Sequence, residues 1–443
     1  MFTKVLVANR GEIACRIIQS CQSLGVKAVA IYSEADRDAR HTQLADEAYE
    51  VGPAKVFESY LNIDKILAIA KEARVNAIHP GYGFLSENPD FVTRCHEEEI
   101  VFIGPAPETM TLMGDKVSAR NHMKNAGVPV IPGSVEPIAS ADEAVSFAEK
   151  QGYPVMLKAA AGGGGIGMEK AGDDEKLKKA FQSNQRRAMN YFSSDSLYIE
   201  KALESPRHIE VQIIGDRHGN VIHLGERDCS IQRRHQKVIE EAPALDLSED
   251  LLERLRKAAI QAAKSLRYEN AGTLEFLVED NEFYFLEMNT RLQVEHPVTE
   301  QITGVDIVRE QLNVAAGEPL GMKQSEVQLQ GHAIETRIYA EDPNTFFPSP
   351  GTIDAFNIPE GASIRLDTGV QNGTEVTPHY DPLLAKLIVS GNSREDTLKK
   401  LQQTLEECDI QGLKTNIPFL REVANHPDYV AGNVTINFVN EHF

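Results

Sequence analysis

The 443-residue chain carries 45 Lys+Arg against 66 Asp+Glu, a formal net charge of −21, with 42% apolar and 25% charged residues. This length calls for two to four packed units rather than one core, and the acidic balance repels nucleic acid and anionic lipid at long range. No apolar run of about 18 residues is present to cross a bilayer, Met1–Lys4 passes straight into a strand-like run, and the five cysteines form no Cys-x-x-Cys pair, so a reducing cytoplasm without membrane or disulfide framework is expected.

Residues 1 to about 115 alternate short β-branched runs, Lys4–Ala8, Lys27–Tyr32, Asn76–His79 and Val101–Gly104, with amphipathic stretches, which predicts a parallel α/β sheet. The first strand-to-helix turn, Asn9-Arg10-Gly11-Glu12, lacks G-x-G-x-x-G, so no NAD domain is expected despite the Rossmann-like rhythm. A helix is predicted near 116–126, a strand at Tyr153–Lys158, a helix near 249–266 and a hairpin over 273–289. After Gly331 the chain becomes strand-rich, with a turn at Pro348–Gly351 and a closing helix at 394–407 under a Ser393/Asp396 capping box.

Three segments carry chemistry. Lys158 runs into Gly162–Met168, where five glycines in six positions let successive backbone N–H groups face an anion. The lysine precedes the glycines, so this is no Walker A loop, and the competing reading is a flexible linker. In Thr273–Asn289 the connection decides the faces. A three-residue loop, Asp280-Asn281-Glu282, pairs 279 with 283 and sets Glu275 opposite Glu287, with Asn289 on the same face. A two-residue loop puts the carboxylates on opposite faces. Two carboxylates and an amide oxygen on one face suit Mg²⁺, whereas a solvated strand face is the plain alternative. Glu226–Lys237 gathers five basic or titratable side chains in an acidic protein, either an anion site or a charged surface. His208 and His235 lack an i+4 partner for zinc, and Cys229 reads as a packed small residue.

Together with Val7–Ala14, His79-Pro80-Gly81-Tyr82-Gly83-Phe84-Leu85-Ser86-Glu87-Asn88 and Glu287–Pro297, these segments resemble biotin carboxylase across essentially the whole chain. The resemblance implies an α/β and α+β protein of ATP-grasp fold. It implies a Rossmann-like domain over 1–115, an ATP-grasp domain over 116–329 with a mobile glycine-loop lid about 130–202, and a strand-rich C-terminal domain over 330–443. ATP is expected at Lys116, Lys158, Gly163, Gly164, Gly165, Met168, Glu200, Lys201, Leu203, His208, His235, Glu275 and Glu287. Mg²⁺ or Mn²⁺ is expected at Glu275, Glu287 and Asn289. Bicarbonate would be held by Lys237, Arg291, Gln293 and Val294 with Glu295 as the base, and biotin would lie by Tyr82, Gly83 and Arg337. Catalysis is thereby assigned to Glu295, Arg337, Lys237 and Arg291. The sequence departs from the family pattern at Ile166, where a basic residue is common, at Ala202, where an aromatic is, and at Thr336, where a cysteine is.

Lys124 and Lys323 follow methionines, but no Met-Lys-Met biotin acceptor exists, so biotin is expected on a carrier protein, with carboxyltransferase subunits and a second copy of the chain as further partners. Two alternatives stand beside this reading: another ATP-grasp ligase joining a carboxylate to an amine, and a non-catalytic nucleotide-binding regulator.

Overall fold

The computed structural model describes residues 1–134, 136–159, 167–192 and 194–443; Gly163, Gly164, Gly165 and Ile166 of the predicted glycine loop lie outside the described residues. At the N-terminus β1 (Lys4–Val7), β2 (Lys27–Ser33), β3 (Glu47–Gly52), β4 (Ala77–His79) and β5 (Val101–Phe102) form a parallel sheet ordered β3-β2-β1-β4-β5. Four of these were legible from their apolar runs. The fifth, β3, reads Glu-Ala-Tyr-Glu-Val-Gly, an edge strand that turns Ala48 and Glu50 to water and buries Val51.

This order reverses direction between β1 and β4, and in doubly wound sheets the crevice past the strand ends at such a point is where ligands sit. Here a cleft of about 220 Å³ opens there, lined by Asn9, Glu12, Tyr82, Gly83, Tyr380 and Asp381, among others. Asn9 fastens its walls, donating from Nδ2 to the carbonyls of Pro80 (2.7 Å) and Tyr82 (2.8 Å). Gly81 makes that approach feasible: its φ is +65° and a Cβ would fall 2.9 Å from Asn9 Nδ2.

Next, β6 (Val155–Ala159), β7 (Met168–Ala171) and β8 (Leu197–Lys201) form a separate antiparallel sheet ordered β7-β6-β8. Leu157 and Ile199 pack there against Ala144, Leu177 and Phe181 of the helices Ala141–Gln151 and Asp174–Phe192. The chain then forms β9 (Arg207–Gly215), β10 (Val221–Arg233), β11 (Gln236–Ala242), β12 (Asn270–Glu279), β13 (Glu282–Asn289) and β14 (His332–Tyr339). It continues through β15 (Gly351–Thr352), β16 (Ala355–Asn357), β17 (Ile364–Thr368), β18 (Glu375–Val376), β19 (Leu383–Gly391) and β20 (Asp409–Gln411). Eight of these make one sheet, β13-β12-β9-β10-β11-β14-β19-β17, while β15–β18 and β16–β20 pair separately.

Helix Glu249–Ser265 covers one face of this sheet. Ser248 caps it by accepting from Leu251 N, and Leu251, Leu255, Ala258, Ala259 and Ala262 recur at helical spacing against Val211, Ile213, Leu274 and Phe276. Each buried leucine contributes roughly 1.5–3 kcal/mol. The expected helix at the C-terminal end runs Arg394–Glu407 and is followed by Ile417–Asn425, Pro427–Ala431 and Phe438–His442, so the region after Gly391 is mainly helical. Its capping box is shifted by one residue. Ser393 accepts from Asp396 N at 3.2 Å, but Asp396 reaches back to Asn392 N (3.0 Å) rather than to Ser393. No helix among the described residues is long and apolar enough to cross a membrane.

The hairpin β12–β13 corrects the sequence-based geometry while keeping its result. Glu279 pairs with Glu282, so the loop is the two-residue Asp280-Asn281, both at positive φ (52° and 61°) as a type I′ turn requires. A two-residue loop alone would have put Glu275 and Glu287 on opposite faces. The register slips between Glu275/Glu287 and Phe276/Phe285, leaving Leu286 as a bulge residue, and this extra residue restores the shared face.

Candidate active site

Adjacent strands carry a row of like charges. Glu287 on β13 lies opposite Glu275 on β12, and Glu275 opposite Glu210 on β9. Carboxylates directly opposite one another repel, and burial removes the water that would screen them. Cations from elsewhere on the sheet supply the compensation. Lys237 Nζ, on β11, donates to Glu275 and to Glu295 at 2.8 Å each and also to Glu210. Arg227, wholly buried on β10, donates from Nη2 to Glu210 at 2.9 Å. His208 Nε2 lies 3.0 Å from Glu275 and 3.2 Å from Glu210; burial alone would lower its pKa, yet these carboxylates outweigh it and raise it to about 9.

Glu295 is at the centre of the cationic side. It immediately precedes the helix His296–Thr303, whose N-terminal dipole favours an anion, and it is 0% exposed. Each oxygen has its own cation: Oε1 faces Lys237 at 2.8 Å and Oε2 faces Arg337 Nη2 at 2.9 Å. Burial pushes this carboxyl up, but Lys237 and Arg337 more than offset it and hold it below the usual range, so Glu295 is ionised. Arg337 is fixed in turn by Glu240, whose Oε1 accepts from Arg337 Nε at 2.6 Å, and burial pushes Glu240 up to about 7.

Arg291 spans the gap to the N-terminal sheet. Its Nε donates to Glu87 (2.8 Å), Nη2 to Asn289 Oδ1 (2.8 Å) and Nη1 to Gln293 Oε1 (3.3 Å). Asn289 thus shares a face with Glu275 and donates to it at 2.7 Å, while its oxygen is engaged by Arg291. Gln293 also donates to Glu275, at 3.2 Å, and the Val294 carbonyl accepts from Lys386 at 2.9 Å.

Lys158 of β6 and Glu200 of β8, both buried, form an ion pair on the separate three-stranded sheet. Lys116 lies between the two clusters: burial lowers its pKa, against the pull of Glu287, Glu200 and Glu275. Met168 pairs with Lys158 in the β6–β7 ladder. The Lys201 side chain leaves this group, its ammonium donating to the carbonyls of Gly152 and Tyr153 at 3.2 Å each. Leu203 is half-buried, just past β8. His235 is exposed in the turn between β10 and β11, where it and Arg234 both adopt positive φ. Tyr82 donates to Glu12 in the switch-point cleft, and Glu12 pairs with the fully buried Lys386 at 3.1 Å.

Most of the run Glu226–Lys237 is buried, with Arg234 and His235 exposed at its turn. Arg227 and Arg233 are buried and paired, Arg233 with Glu341 at 2.7 Å, and Lys237 reaches the carboxylate row. Cys229 is wholly buried and its thiol is pushed well up, as a packed residue would be. The sequence reading missed Glu210 and Glu240. For Glu210 a signal existed: His208, Glu210 and Gln212 alternate with Ile209, Val211 and Ile213, a polar face on a strand buried on both sides.

The likeness to known proteins spans the chain. Residues 1–110 match the family model for the biotin carboxylase N-terminal domain, 115–323 that for the ATP-binding domain of the carbamoyl-phosphate synthase L chain, and 335–441 that for the biotin carboxylase C-terminal domain. A biotin carboxylase of Halalkalibacterium halodurans is 58% identical over 443 residues, which cover all of this chain and 98% of that one. The crystal structure of a Campylobacter jejuni biotin carboxylase in complex with β,γ-ATP superposes with a TM-score of 0.98 at 48% identity, covering 100% and 99% of the two chains. The biotin carboxylase domain dimer of the Hydrogenobacter thermophilus 2-oxoglutarate carboxylase, with MgADP, ADP and bicarbonate bound, gives 0.96 at 48% identity over 100% of this chain and 98% of that one. With a row of buried carboxylates, a doubly clamped Glu295 and this agreement over its full length, the chain belongs to the biotin carboxylase family of ATP-grasp enzymes.

Proposed function

We propose that the chain carboxylates biotin borne on a separate carrier protein, using ATP and bicarbonate by way of carboxyphosphate, as the first half-reaction of an acetyl-CoA or other acyl-CoA carboxylase. The observation that carries this reading is Glu295 held ionised between Lys237 and Arg337, one cation to each oxygen. A ligase joining a carboxylate to an amine has no need of a buried base held between two cations, one of them placed to bind a small oxyanion. The decisive assay supplies MgATP, bicarbonate and either free biotin or biotinylated carrier, and follows carboxybiotin; ligation of an amine instead would establish the alternative.

Bicarbonate is a poor nucleophile, so Glu295 takes its proton while Lys237 and Arg291 hold its oxygens and Gln293 and the Val294 backbone fix its plane. An arriving anion competes for Lys237, so Glu295 gains basicity when substrate is present. The freed oxygen attacks the terminal phosphorus, and ADP leaves. Carboxyphosphate then breaks down to CO₂ and phosphate beside biotin; the phosphate takes the proton of the ureido N–H, the fixed cation of Arg337 stabilises the oxyanion that results, and the ureido nitrogen bonds to CO₂, with Tyr82 and Gly83 on the pocket wall.

On the nucleotide side, Lys116, Lys158, Met168, Glu200, Leu203, His208 and His235 are assigned to ATP together with Gly163–Gly165; Lys201 contributes through its backbone. The units 1–115, 116–329 and 330–443, with 130–202 as the lid, follow from the same reading, as do a second copy of the chain, a carboxyltransferase and a cytoplasmic setting. The dimeric Hydrogenobacter thermophilus domain supports the second copy.

The donors at the carboxylate row fit Mg²⁺ or Mn²⁺. Burial and the facing Glu275 both push Glu287 up, a strain that a hard divalent cation relieves, and Asn289 can join once Arg291 turns to bicarbonate. When bound, the ion neutralises charge on the phosphates. Glu287→Gln is expected to raise the Mg²⁺ concentration needed for half-maximal turnover with the melting temperature little changed; an unaltered Mg²⁺ titration would make the hairpin a merely structural pair. Deleting Leu286 tests the bulge directly. It turns the bulge into a regular ladder in which Glu287 follows Phe285 and still lies opposite Glu275, so turnover should stay within about tenfold of the parent's. A loss of about a hundredfold or more would show that the shared face of Glu275 and Glu287 is not what sets the site.

A further inference from the structure

Beyond the residues assigned to the carboxylate row, the C-terminal helices bring His426, Asp428 and His442 together so that one ligand atom from each lies within 4.8 Å of the others. We propose that these three residues form a site for a divalent transition ion such as Zn²⁺, with a fourth position open to water. Two imidazoles and one carboxylate are the donor set of a borderline-soft ion rather than of Mg²⁺.

The geometry is already close. His426 Nδ1 and His442 Nε2 each lie 3.8 Å from the same oxygen, Asp428 Oδ2. Two ligands of one tetrahedral ion at bond lengths of about 2.0–2.2 Å stand about 3.4 Å apart, so for each His–Asp pair a side-chain shift of a few tenths of an ångström suffices. Asp428 N donates to His426 Nδ1 at 3.3 Å, a long cap contact that an ion at Nδ1 would replace. Asp428 spends its other oxygen, Oδ1, on Asn433 Nδ2 at 3.4 Å, leaving Oδ2 for the histidines.

The rings are also held in place. Their centroids are 4.3 Å apart, and Phe438 packs edge-on against His426 at 5.3 Å and at a tilt against His442 at 4.8 Å. With side chains 24% and 28% exposed, both histidines are packed yet open to solvent on one side, so an ion can enter. Bound there, it would staple the helix Phe438–His442 to the helix Pro427–Ala431.

The test uses EDTA-treated full-length protein with saturating MgADP to occupy the carboxylate row. Co²⁺ should give the visible absorption of a tetrahedral, imidazole-ligated ion, which Zn²⁺ abolishes and excess Mg²⁺ leaves intact. Equilibrium dialysis should find one Zn²⁺ per chain, bound at least tenfold more weakly by His442→Gln and by Asp428→Asn, with biotin carboxylation unchanged in both. Absence of the cobalt band in the parent protein overturns the proposal even if a variant fails to fold. So does equal zinc affinity in parent and folded variants, which would mean that the cluster is only aromatic packing.

Discussion

Glu295→Gln is expected to depress both biotin carboxylation and bicarbonate-dependent ATP cleavage by about 10²–10⁴-fold, the usual loss for a positioned general base. The amide keeps the shape of the side chain but cannot accept the bicarbonate proton. It also disturbs the clamp, because one end becomes an NH₂ group facing either Lys237 or Arg337, where a carboxylate oxygen had satisfied each at 2.8 and 2.9 Å. Phosphate release and carboxybiotin formation, measured in parallel, should fall together. Either activity remaining within tenfold of the parent enzyme would remove Glu295 from the role of base.

Arg337→Ala should separate the two activities instead. Carboxyphosphate formation keeps its base, so bicarbonate-dependent ATP cleavage should fall by less than about tenfold, reflecting the lost anchor on Glu295 Oε2. Carboxybiotin formation should fall by roughly 10²–10³-fold, as on removing one donor to a developing oxyanion. ATP would be consumed without product. The substitution also strips the cation from Glu240, which lies directly across the ladder from the buried Glu335. Adding Glu240→Gln to Arg337→Ala removes that uncompensated charge and guards against misfolding. If folded Arg337→Ala lost ATP cleavage as completely as Glu295→Gln, the two residues would act in one step.

Much of the site was legible in the sequence because its segments are contiguous: Glu287 through Glu295 form a single short stretch, and strand parity linked it to Glu275. Parity nevertheless succeeded through a compensation. Phe283-Tyr284-Phe285-Leu286 carries no polar residue to mark which side chain faces which way, so neither the two-residue turn nor the bulge at Leu286 left a trace in the pattern. The basic run misled for a related reason. Arg227 and Arg233 are spent on Glu210 and Glu341, residues 17 and 108 positions away, and pairings at such separations are invisible to local charge counting. Glu240 could be recognised only once β14 lay beside β11 and delivered Arg337 to it.

The eight-stranded sheet bears on more than geometry. It carries Glu287 on its first strand and Arg337 on its sixth, and crosses from the ATP-grasp segment into the C-terminal one without losing its ladder: Ile239, Glu240, Glu241 and Ala242 pair with Thr336, Glu335, Ile334 and Ala333. Such a sheet opens as one cooperative unit, because releasing any inner strand exposes two ladders and both covered faces. Lys237 and Arg337, the cations proposed for bicarbonate and for biotin, therefore share one unfolding free energy, and neither can loosen while the other stays ordered. The three-stranded sheet carrying Lys158 and Glu200 has a ladder and a core of its own, and so forms a distinct unit that can open at lower cost.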